Sequence, residues 1–284
     1  MKARFFTRRV LYSVRKLLSR IETKLIGQRW IFVHLPKCGG TSISTGLRQA
    51  LGAGTEGFID PMETRKWARF DLPNGERAEG SARLFQIRLT LLRAHADRGV
   101  PFIYGHFPLD ECLFARPKTE QHEQGYRWLT VLRDPVDRLL SQFRYWTLTR
   151  EPTAAESLSS IERRWQAYLG SDLCHYHANL YSYYLGGHAV GFDGNRVAEM
   201  QERAQDNLKA FDAVGCIENL QAVAEDFRDL TGRSVRFRRL NSSEANSETR
   251  RQVRVLEEFE KRVDRSNLRE MTRSDTEIYQ IARK

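Results

Sequence analysis

The sequence predicts an α/β fold, a three-layer sandwich with a central parallel sheet. Three observations predict it. Short apolar runs rich in aromatic and β-branched residues alternate along the chain with helical patterns. The chain has 284 residues, enough for one large core, and no internal repeat. Its 40% hydrophobic and 29% charged residues are ordinary for a globular protein, so disorder as the main state is excluded.

The elements follow in order. Arg29–Leu35 (RWIFVHL), bounded by Pro36, reads as a buried strand. Gly39 and Gly40 make a tight loop, and Thr41–Leu51 reads as a helix capped by Thr41 or Ser42. Residues 52–100 mix glycine, proline and charge, with one helix expected near Leu84–Ala96. Pro101–His106 and Tyr126–Arg133 read as further strands. Asp134-Pro135 is a helix start, aspartate as N-cap and proline at the first helical position. The helix that follows carries Leu139, Leu140, Phe143 and Trp146. Phe211–Glu218 then reads as a strand and Asn219–Leu230 as a helix. The expected division is a segment 1–28 and a single domain 29–284, with variable insertions near 52–100 and 148–178.

The formal charge of +10 is concentrated in that first segment. Residues 1–30 carry nine lysines and arginines against Glu22 alone, so the remainder is near neutral and argues against a nucleic-acid surface. Phe6, Val10, Val14, Leu17, Leu18, Ile21 and Leu25 recur at helical spacing, and no stretch approaches the ~18 apolar residues of a membrane span. Such a basic amphipathic helix suits peripheral contact with an anionic membrane face, packing on the domain, or a cleaved targeting segment. No secretory signal pattern is present, so a cytoplasmic location is the expectation, with the inner membrane face as its peripheral variant. Cys38, Cys112, Cys174 and Cys216 form no CxxC pair and read as reduced. Cys174-His175-Tyr176-His177 lacks a second cluster at zinc spacing, and no metal is expected.

Two segments carry chemistry. In Pro36-Lys37-Cys38-Gly39-Gly40-Thr41-Ser42, a glycine turn opens onto a helix start, where backbone N–H groups gather around an anion. Lys37 adds a mobile charge, and Thr41 and Ser42 add hydroxyls. The nucleoside-triphosphate loop GxxxxGK[ST] is absent, which disfavours a magnesium-ATP enzyme. In Leu132–Ser141, Arg133 leaves the carboxyl end of a strand and Ser141 lies on the next helix, an arginine fork and a hydroxyl suited to a phosphate monoester. The bland alternative pairs Arg133 with Asp134 or Asp137 and lets Ser141 pack.

Together, FVHLPKCGGTS and VLRDPVDRLLSQFRYW resemble the nucleotide-binding signatures of carbohydrate sulfotransferases that use 3′-phosphoadenosine 5′-phosphosulfate (PAPS), the group of heparan sulfate 2-O-sulfotransferase and its bacterial relatives. The resemblance implies a P-loop-NTPase-like sulfotransferase fold, sulfuryl transfer to a glycan or glycolipid hydroxyl, and no metal. It implies that Lys37, Cys38, Gly39, Gly40, Thr41 and Ser42 hold the 5′-phosphosulfate, and Arg133 and Ser141 the 3′-phosphate. Cys38 stands where the family's loop, PKTGGT, has threonine. Tyr104-Gly105-His106-Phe107-Pro108 resembles the strand end whose histidine serves as base, which makes His106 and Lys37 the catalytic candidates. The second histidine of the 2-O group falls at Tyr104 here. Asn179-Leu180 with Tyr184–Gly187, Val214–Glu218 and Leu240-Asn241-Ser242-Ser243 resemble later bordering segments.

Glu56 and Glu63 stay open as acidic alternatives to the base. Arg65, Lys66, Arg69, Arg83, Arg88, Arg93, Arg163 and Arg164, with Trp67 and Trp165, could grip an acidic sugar chain or form a solvated face. An atypical ATP-using P-loop kinase and a non-enzymatic membrane- or nucleic-acid-binding protein are the alternative functions.

Overall fold

Along Arg29–Val33 every side chain from Trp30 onward is buried, although successive residues of a strand point to opposite faces. A strand apolar on both sides needs a helical layer on each face, and the fold supplies both. The structure, a computed structural model, describes residues 28–52, 56–68, 77–115, 125–150, 157–187, 194–238 and 247–283. The basic segment 1–27 and Leu240–Ser243 lie outside the described residues.

In chain order the elements are β1 (Arg29–Val33), α1 (Gly40–Leu51), β2 (Glu56–Ile59), α2 (Pro61–Ala68), α3 (Arg77–Asp97), β3 (Phe102–Gly105), α4 (Glu111–Phe114), β4 (Tyr126–Leu132), α5 (Pro135–Arg150), α6 (Leu158–Leu169), α7 (Asp172–Ala178), α8 (Leu180–Leu185), α9 (Val197–Lys209), β5 (Ala213–Cys216), α10 (Leu220–Thr231), α11 (Ser247–Glu260), α12 (Arg265–Met271) and α13 (Arg273–Ala282). The sheet described runs β2-β3-β1-β4-β5, with every pairing parallel. On one face Trp30, Phe32, Tyr104 and Leu129 pack with Ile43 and Leu47 of α1 and Phe227 of α10. On the other, Ile31, Val33, Ile103 and Trp128 pack with Phe85 and Leu92 of α3, Tyr181 and Tyr183 of α8 and Ile278 of α13. A third cluster joins Leu139 and Phe143 of α5 to Trp165 of α6 and Phe259 of α11.

The predicted α/β sandwich with a parallel sheet is therefore the observed one. The stretch 52–100 differs from the single expected helix. It supplies the edge strand β2, paired to β3 from Glu56↔Phe102 to Ile59↔Gly105, and the helix α2 as well as α3. Four residues, EGFI, are too few to display a period, and β2 becomes a strand only by pairing with β3.

Candidate active site

Parallel strands all end on the same side, so residues just past their carboxyl ends are brought to one edge. Val33 pairs with Gly105 on one side and Thr130 on the other. His34 and His106 follow immediately, and Arg133 follows Leu132 at the end of β4.

The loop after β1 is built by two glycines with different reasons. Gly39 takes φ 71°, the left-handed region where a side chain is strained, and a Cβ there would meet Ile217 Cδ1 at 2.6 Å. At Gly40 a Cβ would lie 1.7 Å from His34 Nε2, so the imidazole occupies the space that only glycine leaves. Lys37 also has φ 66°, without being glycine. Such a conformation costs of order 1–3 kcal/mol and is kept where the surroundings impose it.

The cap expected from Thr41 or Ser42 is not what forms. Gly39 is the N-cap of α1, with no side-chain cap bond. The Gly40 and Thr41 amides begin the helix where its own ladder offers no carbonyl, so they remain available to an anion. Cys38 turns away from this edge. Its thiol is buried, 3.4 Å from the Tyr181 hydroxyl, and its amide donates to Leu35 O at 3.3 Å. Burial pushes the thiol up to about 11, so it stays protonated.

Lys37 Nζ lies over the Tyr145 ring at 4.2 Å. Burial first, then the charges of Arg133 and Arg144, bring its amine down to about 8. Three cations thus converge at the start of α1. Arg144 is held by Glu260 through two bonds, 2.9 and 2.6 Å. Arg133 has no carboxylate partner among the described residues. Asp134 caps α5 as expected, accepting from Val136 and Asp137 amides at 3.0 and 3.1 Å, and Asp137 pairs with Arg265. Ser141 is half-buried one helical turn before Tyr145, on the stretch of α5 that faces Lys37.

The Tyr181 hydroxyl joins the two signature segments. It accepts from the Arg133 amide at 3.0 Å and donates to the Arg133 carbonyl at 2.6 Å, with Cys38 Sγ at 3.4 Å. Tyr181 is held in turn from behind: Asp275 accepts its amide at 2.9 Å, and Arg138 lies over its ring at 5.1 Å.

With this geometry in place, the comparison with protein families is decisive. The sulfotransferase family model matches residues 110–280, which include Arg133 and Ser141 and begin after Lys37 and His106. The chain belongs to the sulfotransferase family. No curated protein matches it.

Beside the cation cluster, the sulfotransferase carries a pair of imidazoles in contact, their planes tilted by 36°. The rings of His34 and His106 lie 4.1 Å apart. His106 Nδ1 is 2.6 Å from the carbonyl oxygen of His34. A carbonyl only accepts, so Nδ1 carries the proton and Nε2 is left with its lone pair, ready to accept one. Burial, then the charge of Lys37, brings His34 down to about 4. Burial, then His34, Arg88 and Arg65, holds His106 well below its ordinary value. Both rings are neutral at neutral pH.

The second imidazole beside His106 therefore comes from β1 rather than from position 104. Tyr104 is buried, its ring stacked with Phe58 at 5.0 Å and Phe102 at 5.1 Å. His34, Tyr181, Arg144 and Tyr145 were missed as site residues by sequence reasoning. His34 was read as part of the strand Arg29–Leu35, whereas β1 ends at Val33; Arg144 and Tyr145 lie within the second signature segment, where only Arg133 and Ser141 were singled out.

Of the residues read as a sugar grip, Trp165 is buried against Phe143 and Phe259. Arg93 is paired to Asp110 at 2.6 Å and Lys66 to Glu63 at 2.8 Å. Trp67 is exposed on α2, and Arg69 lies outside the described residues. Cys174 and His177 are core side chains, His177 Nδ1 meeting the Tyr168 hydroxyl at 2.9 Å. Among the described residues no cluster of His, Cys, Asp and Glu is placed to hold a metal ion, and no helix is long and apolar enough to cross a membrane.

Proposed function

We propose that this sulfotransferase moves a sulfuryl group from PAPS to a hydroxyl of a carbohydrate-type acceptor by in-line displacement. One observation carries the reading: Lys37, flanked by the charges of Arg133 and Arg144, stands at a helix start whose amides no side chain caps. Cations and free amides converging on one point are the requirement of a phosphosulfate. Bound there, PAPS supplies the sulfuryl group and a phosphate leaving group. Lys37 and the Gly40 and Thr41 amides stabilise the charge that grows on the leaving oxygen. Arg133 and Ser141 hold the 3′-phosphate, and the Tyr181 hydroxyl fixes the Arg133 backbone relative to the loop after β1. His106, its Nδ1 proton committed to the His34 carbonyl, takes the acceptor hydroxyl proton on Nε2.

The test is calorimetry with adenosine 3′,5′-bisphosphate, without magnesium, on the wild type and Lys37→Ala. The expected result is saturable binding, weakened about tenfold or more in the variant, with turnover falling about 10²–10³-fold. No binding to the wild type, or a preference for magnesium-ATP, overturns the reading. The sign with pH is fixed too. Lys37 loses its charge as pH rises through about 8, so nucleotide affinity falls above that pH.

A further inference from the structure

We propose that Arg88 is the receptor for an anionic substituent of the acceptor, a sugar carboxylate or sulfate ester, seated so that a neighbouring hydroxyl meets His106. The proposal deepens the sulfuryl-transfer reading and rests on it.

Arg88 reaches inward from α3 and is 3% exposed. Nε donates to Thr64 Oγ1 at 3.1 Å and Nη1 to the Tyr184 hydroxyl at 3.2 Å. No carboxylate pairs with it among the described residues. Arginine does not shed its charge, so a guanidinium held in the interior by hydroxyls alone carries an unbalanced desolvation cost. Nη2 makes no hydrogen bond among the described residues. It is also not one of the partnerless atoms sealed from solvent, as Nη1 of Arg138 is. A buried cation with an open N–H edge is built for an anion that arrives from outside.

Its location says which anion. Besides burial, the His34 ring, Arg88 from α3 and Arg65 from α2 disfavour the imidazolium, while the hydrogen bond to the His34 carbonyl favours it. A base so depressed accepts a proton poorly. An anion seated on Arg88 cancels the stronger-acting of the two guanidinium charges and restores basicity to the ring only when a charged acceptor is present. One contact then both selects the acceptor and readies the base, which is stabilisation that grows toward the transition state.

The experiment uses the full chain saturated with adenosine 3′,5′-bisphosphate, which fills the Lys37 site. It is titrated with D-glucuronate, D-glucose 6-sulfate and D-glucose while the His106 ring is followed by NMR. At least one charged sugar is expected to bind saturably and raise the His106 pKa, and glucose is not. Arg88→Gln should weaken that binding about tenfold or more, with Arg88→Lys intermediate. If both charged sugars bind no better than glucose, or bind Arg88→Gln as tightly as wild type, the proposal is overturned. The wild-type comparison decides even should the variants fail to fold. Failure to bind the nucleotide sinks sulfuryl transfer itself, whereas nucleotide binding without discrimination between charged and neutral sugars sinks only the role of Arg88.

Discussion

Arg138 and Arg88 are buried alike, 0% and 3% exposed, yet are treated in opposite ways. Arg138, behind Tyr181 and Arg133, faces Asp275 at 3.5 Å, donates to the His177 carbonyl and lies over the Tyr181 ring. Asp275 is itself saturated by the amides of Tyr181 and Ser182 and by the Ser182 hydroxyl. Arg88, on the His106 side, has two hydroxyls and, among the described residues, no acid. An internally balanced charge holds a wall in place. An unbalanced one leaves its attraction for something that comes later. The Arg133 side of the site is braced by α5, α8 and α13, and the Arg88 side is left electrostatically incomplete among the described residues.

The largest effect should come from breaking the balanced side. Arg138→Ala leaves the Asp275 carboxylate buried without its cation, at a cost of about 3–5 kcal/mol in urea unfolding. A loss under about 1 kcal/mol would mean that Arg138 is not the brace described here. Tyr181→Phe comes next. It strands the amide and carbonyl of Arg133 and should cost about 1–3 kcal/mol, read mainly as weaker adenosine 3′,5′-bisphosphate binding and a raised PAPS KM, with kcat little changed. An equal fall in kcat alone would place Tyr181 in the chemistry instead.

Arg88→Gln should change stability by only about 1 kcal/mol, in either direction. Its partners keep other bonds: Thr64 Oγ1 donates to Asp60 and Pro61 carbonyls at 2.8 and 3.2 Å, and Tyr184 bonds Tyr176. A loss as large as that of Arg138→Ala would break the comparison. The smallest effect is on pH dependence. His106 is held below 6.5, so it stays neutral at neutral pH and the acid limb of turnover lies below 6.5. Arg88→Gln removes one depressing charge and should move that limb upward, by less than about a pH unit. The same sign governs stability. The unfolded chain binds protons that the folded rings refuse, so stability falls as pH drops from 6.5 toward the value of about 4 at His34.

The placement of the two signature segments was legible because the residues of each are contiguous. Pro36–Ser42 and Leu132–Ser141 each fit within one strand–loop–helix, so local rules for strand ends, glycine turns and helix starts place them. Asp134-Pro135 marked the start of α5 for the same reason. The capping expectation failed at Thr41 because the helix already starts at Gly40, with Gly39 in the left-handed region as its N-cap. Cys38 was read as part of the cradle, but its side chain is claimed by the core and by Tyr181, a residue 143 positions away in sequence.

By itself the sequence determined the parallel α/β class and put the glycine loop after β1, Arg133 and His106 at the ends of strands, all carried by periodicity and by residues adjacent in the chain. Only the tertiary structure decided that the His34 ring lies against His106 while its carbonyl fixes the tautomer, that Tyr181 ties the two signature segments together, and that among the described residues Arg138 has an acid where Arg88 has none. A string of residues states which charges exist. Which of them are left unbalanced depends on distances between elements that meet only when the sheet is closed.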